Sequence, residues 1–195
     1  MSIKRVIVYI KLKAYIEILK NEGWQGFKTI ASLKKSTSAI PKVKGVYMVI
    51  RLSTTPPLFI YPGTGGFYKG KDPNVPISEL QMNWNDNSPI IYIGKAGGLQ
   101  NNTTLKSRLS LYMKFGSGKD KNHWGGRYLW QLKDADELLA CWLQTDEEPK
   151  AIEALLLKEY QHYHNGKLPF ANLKSEHQQL ENFEIGPGLL QLLHF

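Results

Sequence analysis

The sequence predicts a mixed α/β fold, and three observations carry that prediction. Residues 45–52 and 89–95 are apolar runs rich in β-branched and aromatic side chains, each bounded by a glycine, Gly45 or Gly94, as strands are where the backbone turns or approaches something closely. Residues 128–132 and 138–144 are two further strand-like apolar runs. Helical periodicity takes over in residues 104–115 and again in residues 149–165.

Composition sets the outer limits. A chain of 195 residues with 42% hydrophobic and 22% charged residues suits one domain with appendages and a real core. It carries 25 basic against 17 acidic residues, a net charge of +8 and a pI of about 9.4, a surplus that favours a polyanionic partner. Cys141 is the single cysteine, which excludes an intrachain disulfide and a cysteine-based metal site, and no disulfide-linked partner is expected. Its apolar surroundings, residues 138–143, make it a small buried hydrophobe rather than a nucleophile. The apolar stretch 3–19 is broken by Lys4, Arg5, Lys11, Lys13 and Glu17, which rules out a spanning helix there. The expectation is a soluble, cytoplasmic protein with no membrane partner and an oligomeric state left open.

In chain order, residues 1–40 read as a helical leader, with helices over 6–21 and 25–35 and a scatter of lysines that can face solvent or a phosphate backbone. Residues 41–175 form the main domain. The first strand, 45–52, alternates Tyr47, Val49 and Arg51 with Val46, Met48 and Ile50. An insertion over 54–88 contains five prolines, and its aromatic patches at 58–61 and 66–68 suggest a small hairpin. Long loops tend to be functional, so the insertion, with its aromatics and Lys69 and Lys71, is either a candidate DNA-contacting element or an embellishment that covers the sheet. Residues 176–195 form a tail to which no chemistry is assigned.

The helix after the second strand starts at Thr103 or Thr104, either of which can cap it. Its apolar face holds Leu105, Leu109, Tyr112 and Phe115, and Arg108 falls within the same arc. An inward guanidinium is costly unless an anion meets it. An anionic ligand on one side, and a buried ion pair or an arginine snorkelling at the edge of the core on the other, are equally consistent with that. His123 and Arg127, beside Gly125 and Gly126, can hold a phosphate, although a lone histidine is more often structural. The last helix begins after Asp146, Glu147 and Glu148 with Pro149 in its first turn and ends at Asn165 and Gly166. Glu153 and Glu159 both fall near its apolar arc, and periodicity does not choose between them.

Taken in order, Gly45-Val46-Tyr47, Tyr92-Ile93-Gly94, Leu105-x-x-Arg108-Leu109, an acid on a distal helix and Pro169-Phe170-Ala171-Asn172 resemble the GIY-YIG nuclease superfamily over about residues 40–175. The resemblance implies a small central three-stranded antiparallel sheet flanked by helices, and a metal-dependent phosphodiesterase that cuts DNA. It implies that Tyr47 and Tyr92 are the motif tyrosines, Arg108 the motif arginine, and Tyr112 the tyrosine or histidine four residues later. Glu153 is then the single metal-binding glutamate, chosen over Glu159, and Asn172 the asparagine that closes the domain. Two departures stand out: valine replaces isoleucine in the first motif, and Tyr47 and Tyr92 are 45 residues apart because of the insertion.

The implied chemistry suits those residue types. Phosphodiester hydrolysis needs a placed water, neutralisation of charge on the phosphoryl oxygens and help for the departing alkoxide. One Mg²⁺ or Mn²⁺ on Glu153, an Arg108 clamp on the scissile phosphate and a Tyr47 base supply these, with Tyr92 and Tyr112 orienting water and phosphate. Lys95, His123, Arg127 and Asn172 are the candidate substrate-binding residues. A free tyrosine ionises near about 10, so Lys95, Arg108 or the metal is expected to favour the Tyr47 phenolate. The alternative function is a catalytically silent nucleic-acid-binding module on the same scaffold, resting on the charge and the aromatic, lysine-bearing insertion.

Overall fold

A computed structural model of the chain describes residues 3–173 apart from residue 122, with side chains from residue 10 onward. The C-terminal tail, 176–195, lies outside the described residues. The fold is mixed α/β: α1 (Ile3–Asn21), β1 (Gln25–Thr29), α2 (Ile30–Lys35), β2 (Gly45–Ile50), α3 (Ile77–Asn83), β3 (Ile90–Ala96), α4 (Leu105–Gly116), two 3₁₀ segments (Trp124–Gln131 and Ala135–Glu137), β4 (Leu139–Gln144) and α5 (Pro149–Tyr163).

The sheet has four antiparallel strands in the order β1-β4-β2-β3, where three were expected. The extra strand comes from the leader. Gln25–Thr29 pairs with β4 rather than forming a helix, and only Ile30–Lys35 is helical. Its irregular register, with Gly26 at φ 95° and Phe27 at φ 48°, erases the period-two pattern that marks a regular strand. The leader is therefore part of the main fold, and Tyr15, Leu19 and Trp24 are buried in it.

β2 is central, and all six of its residues are buried. Strand alternation divides it between two cores as expected: Tyr47 and Val49 pack with α2 and α4, whereas Val46, Met48 and Ile50 pack with α1 and α5. Cys141 lies in the second core, its thiol pushed up by burial. β3 is the outermost strand on its side, so α4 from one face and α5 from the other can meet beyond its edge.

Two other expectations are revised. Residues 128–132 are not a strand: Trp124–Gln131 forms 3₁₀ turns with a kink at Gly126. The insertion forms no hairpin. Phe59 bridges to Leu132, Tyr68 to Lys71, and the segment also contains α3. No helix among the described residues is long and apolar enough to cross a membrane.

Candidate active site

The β2–β3 register sets Tyr47 opposite Gly94. A Cβ at Gly94 would stand 2.5 Å from the Tyr47 ring, 2.6 Å from its hydroxyl and 2.9 Å from the Tyr92 ring. The second glycine of the motif is thus required by the packing of the two tyrosines, whose ring centroids are 5.9 Å apart.

Helix α4 supplies the next layer. Thr104 caps it, accepting from the Ser107 N–H at 3.2 Å while the Ser107 hydroxyl accepts from the Thr104 N–H at 2.8 Å, and this fixes its first turn. Arg108 and Tyr112 follow on one face. The Arg108 guanidinium lies against the Tyr47 hydroxyl, beside the Tyr92 ring. Tyr112 donates to the Gly126 carbonyl at 2.9 Å. A Cβ at Gly126 would meet that phenol oxygen at 2.4 Å, so this glycine too makes room for a ring.

His123 completes the buried layer. Its imidazole stacks on Tyr112 with centroids 3.7 Å apart and planes 12° from parallel, and Nε2 lies 3.1 Å from the Tyr47 hydroxyl. Burial, reinforced by the Arg108 charge, holds the ring well below the ordinary histidine range, so it is neutral at pH 7. Burial also raises the pKa of Tyr47, Tyr92 and Tyr112. At Tyr47 the Arg108 charge works against this and does not overcome it. Arg108 alone therefore does not favour the Tyr47 phenolate, because desolvation of the charged form outweighs the nearby cation.

Helix α5 brings in Glu153. It is buried, unlike the half-buried Glu159, and it is ion-paired with Lys95 of β3. Both line an open cleft of about 900 Å³ together with Tyr92, Arg108, Arg127 and Asn172. Among the described residues no group of three or more His, Cys, Asp or Glu side chains converges as a cage. One carboxylate facing space that a phosphate can enter nevertheless suits a hard divalent cation, which keeps several waters and takes the rest of its oxygens from substrate. Glu153 is the residue that would hold it, sharing its carboxylate with Lys95.

The nine candidate residues thus fall into two groups. Tyr92, Lys95, Arg108, Arg127, Glu153 and Asn172 line the cleft. Tyr47, Tyr112 and His123 lie behind it, with Tyr47 and His123 at 0% exposure against 6% for Tyr92. Of the candidate tyrosines, Tyr92 and not Tyr47 faces the cleft, where Tyr128 also stands, and His123 does not reach it. Asn172 accepts from the Ile93 N–H at 2.9 Å and donates to the Ile93 carbonyl at 2.8 Å, so its amide is committed to the open edge of β3. Arg127 lies over the rings of Trp124 and Tyr128, 4.8 and 5.1 Å from their centroids.

The insertion reaches the cleft through Met82 and Asn83 of α3, not through Lys69 or Lys71. Glu79 on that helix accepts a hydrogen bond from Tyr128, tying α3 to the opposite wall. Nothing in the Pro- and Gly-rich composition of the insertion marked this helix. Comparison with protein-family models, curated proteins and solved structures gives no match.

Proposed function

We propose that this chain is a metal-dependent DNA endonuclease of the GIY-YIG type. The observation that carries the reading is the single cleft faced by Arg108, Lys95, Glu153 and Tyr92, four residues drawn from three elements. Arg108 would grip a nonbridging phosphate oxygen, and lying against Tyr47 it is already oriented for that contact. Glu153 would hold Mg²⁺ or Mn²⁺, which when bound neutralises charge on the phosphoryl and departing oxygens. The Tyr92 hydroxyl would place the attacking water, with Tyr47 packed behind it. Arg127 and the net charge of +8 would draw the DNA backbone to the cleft.

Lys95 seated on Glu153 favours a second reading, a module that binds nucleic acid without cutting, since the carboxylate already has a cation. A cleavage assay separates the two. Supercoiled plasmid and a branched DNA are incubated with Mg²⁺, Mn²⁺ or EDTA, beside Glu153→Ala and Arg108→Ala. Metal-dependent nicking that falls by about 10²–10³-fold in either variant supports the nuclease. Variants that cut as well as wild type overturn the site assignment. DNA binding with no cutting in any metal supports the module.

A further inference from the structure

Resting on the nuclease reading, we infer that Lys95 is a displaceable counter-ion that occupies the Glu153 carboxylate until DNA enters, so that the divalent cation and DNA bind cooperatively. Strand alternation sets Lys95 two residues from Ile93, on the face of the sheet that α5 covers, and there it meets Glu153. The two ends of the ion pair are held differently. Glu153 lies on α5 between the core residues Ile152 and Leu156, with its side chain 10% exposed. The Lys95 side chain is 24% exposed on the outermost strand, and it reaches the carboxylate by a flexible four-carbon stem. The carboxylate stays in place and the ammonium can swing.

A buried carboxylate needs a cation beside it in every state of the protein. Before DNA arrives, Lys95 is a cation in that position. Among the described residues lining the cleft are four basic side chains, Lys95, Arg108, Arg127 and Lys167, and one acid, Glu153. A divalent ion entering ahead of DNA therefore meets a positive surround as well as an occupied carboxylate. Sharing the carboxylate between the ammonium and that ion sets like charges side by side, at a cost that rises as water is excluded. An entering phosphate changes both conditions. It lowers the positive potential, and it offers the ammonium a second anion in the space that Lys95 and Glu153 both line. Lys95 then exchanges Glu153 for the phosphate, and Glu153 takes the divalent cation in its place. No covalent bond is made or broken, and each charge ends beside one of opposite sign. Linkage makes the effect reciprocal: the factor that DNA adds to metal affinity is the factor that metal adds to DNA affinity. The ion pair that favours a silent module is then the metal-free state of a nuclease.

The test is calorimetric binding of Mn²⁺ alone to wild type, Lys95→Met, Lys95→Arg and Glu153→Gln. Lys95→Met removes the competing ammonium and should bind Mn²⁺ about 5–150-fold more tightly than wild type, the usual span of a coupling between sites. Lys95→Arg, which can grip the carboxylate with two donors, should bind it more weakly. A duplex with phosphorothioate linkages, which resist hydrolysis, should tighten Mn²⁺ binding to wild type within that same span, and to Lys95→Met by less. If Lys95→Met binds Mn²⁺ no more tightly than wild type, the exchange is overturned, and metal-dependent nicking of plasmid still leaves the nuclease reading standing. If Glu153→Gln binds Mn²⁺ as wild type does, the exchange falls together with the metal placement of that reading. Should Lys95→Met fail to fold, the other arms still decide: unchanged Mn²⁺ affinity in Lys95→Arg, with no gain from the duplex in wild type, overturns the exchange.

Discussion

Two recesses in this molecule contain an inward arginine, and they use it differently. In the smaller one, of about 610 Å³, Arg51 is paired with Asp134 at 2.7 Å and donates to the main-chain carbonyls of Ser53 at 3.2 Å and Thr55 at 2.8 Å. Its guanidinium also lies 5.5 Å from the centroid of Trp84. Those bonds bind the start of the insertion to the 3₁₀ turn around Asp134. In the larger cleft Arg108 lies against a phenol and faces a space that also holds Lys95, Arg127 and a buried carboxylate. An inward arginine is therefore no sign of a site by itself. What distinguishes Arg108 is the company of other cations around a cleft large enough for a phosphate.

The largest effect that sharpens this comparison is on stability, at Arg51. Arg51→Met removes one partner of a mostly buried pair, leaving Asp134 uncompensated at a cost of about 3 kcal/mol. Urea unfolding should show the unfolding free energy fall by that amount, with a lower midpoint at unchanged slope, while cleavage per folded molecule stays at the wild-type level. A variant that unfolds normally and cuts poorly would merge the two recesses into one functional unit.

The next effect concerns pH, and it belongs to the layer behind the cleft. His123 is held well below the ordinary value of about 6.5 by burial and by Arg108. As pH drops below that ordinary value the unfolded chain takes up a proton that the native ring refuses, so stability falls. Above it, neither state is protonated and the contribution is constant. The slope from this one group is about 1.4 kcal/mol per pH unit between the ordinary value and the lowered one. Comparing His123→Phe with wild type in urea at a series of pH values isolates it, because the carboxylates are common to both. The stability difference should change below about pH 6.5 and be flat above it. A difference flat throughout would mean that the native imidazole titrates normally.

How much of this was legible in the sequence follows from where each signal lies. Apolar runs bounded by glycine identified β2 and β3, and alternation along β2 put Tyr47 on the side where the structure also places Tyr92. Helical spacing placed Arg108 and Tyr112 on the face of α4 that turns to the site. The layering of the site was not legible, because periodicity gives the direction of a side chain and not its depth. Tyr47 lies on the central strand and Tyr92 on the outer one, and only that order explains why one is behind and the other in front. β1 escaped notice through its two positive-φ residues. The 3₁₀ segment read as a strand because Tyr128, Leu129, Trp130 and Gln131 are buried in succession, which leaves no period to read. His123 showed only as a histidine ahead of two glycines, and its bond to Tyr47 depends on a contact across 76 positions.

The smallest effect is expected at Arg127, and it sharpens the division within the cleft itself. Arg127 lines the cleft but leans on Trp124 and Tyr128, and burial lowers its pKa. It is a positive charge at the wall, whereas Arg108 lies against the buried tyrosine layer. Arg127→Ala should therefore weaken DNA binding by only a few-fold at moderate salt. It should make the slope of log affinity against log salt shallower by about 0.7–0.9, the signature of one lost phosphate contact. The rate of cutting at saturating DNA should stay close to wild type. An equal loss in rate and in binding would place Arg127 with Arg108 at the scissile phosphate instead of on the path of the backbone.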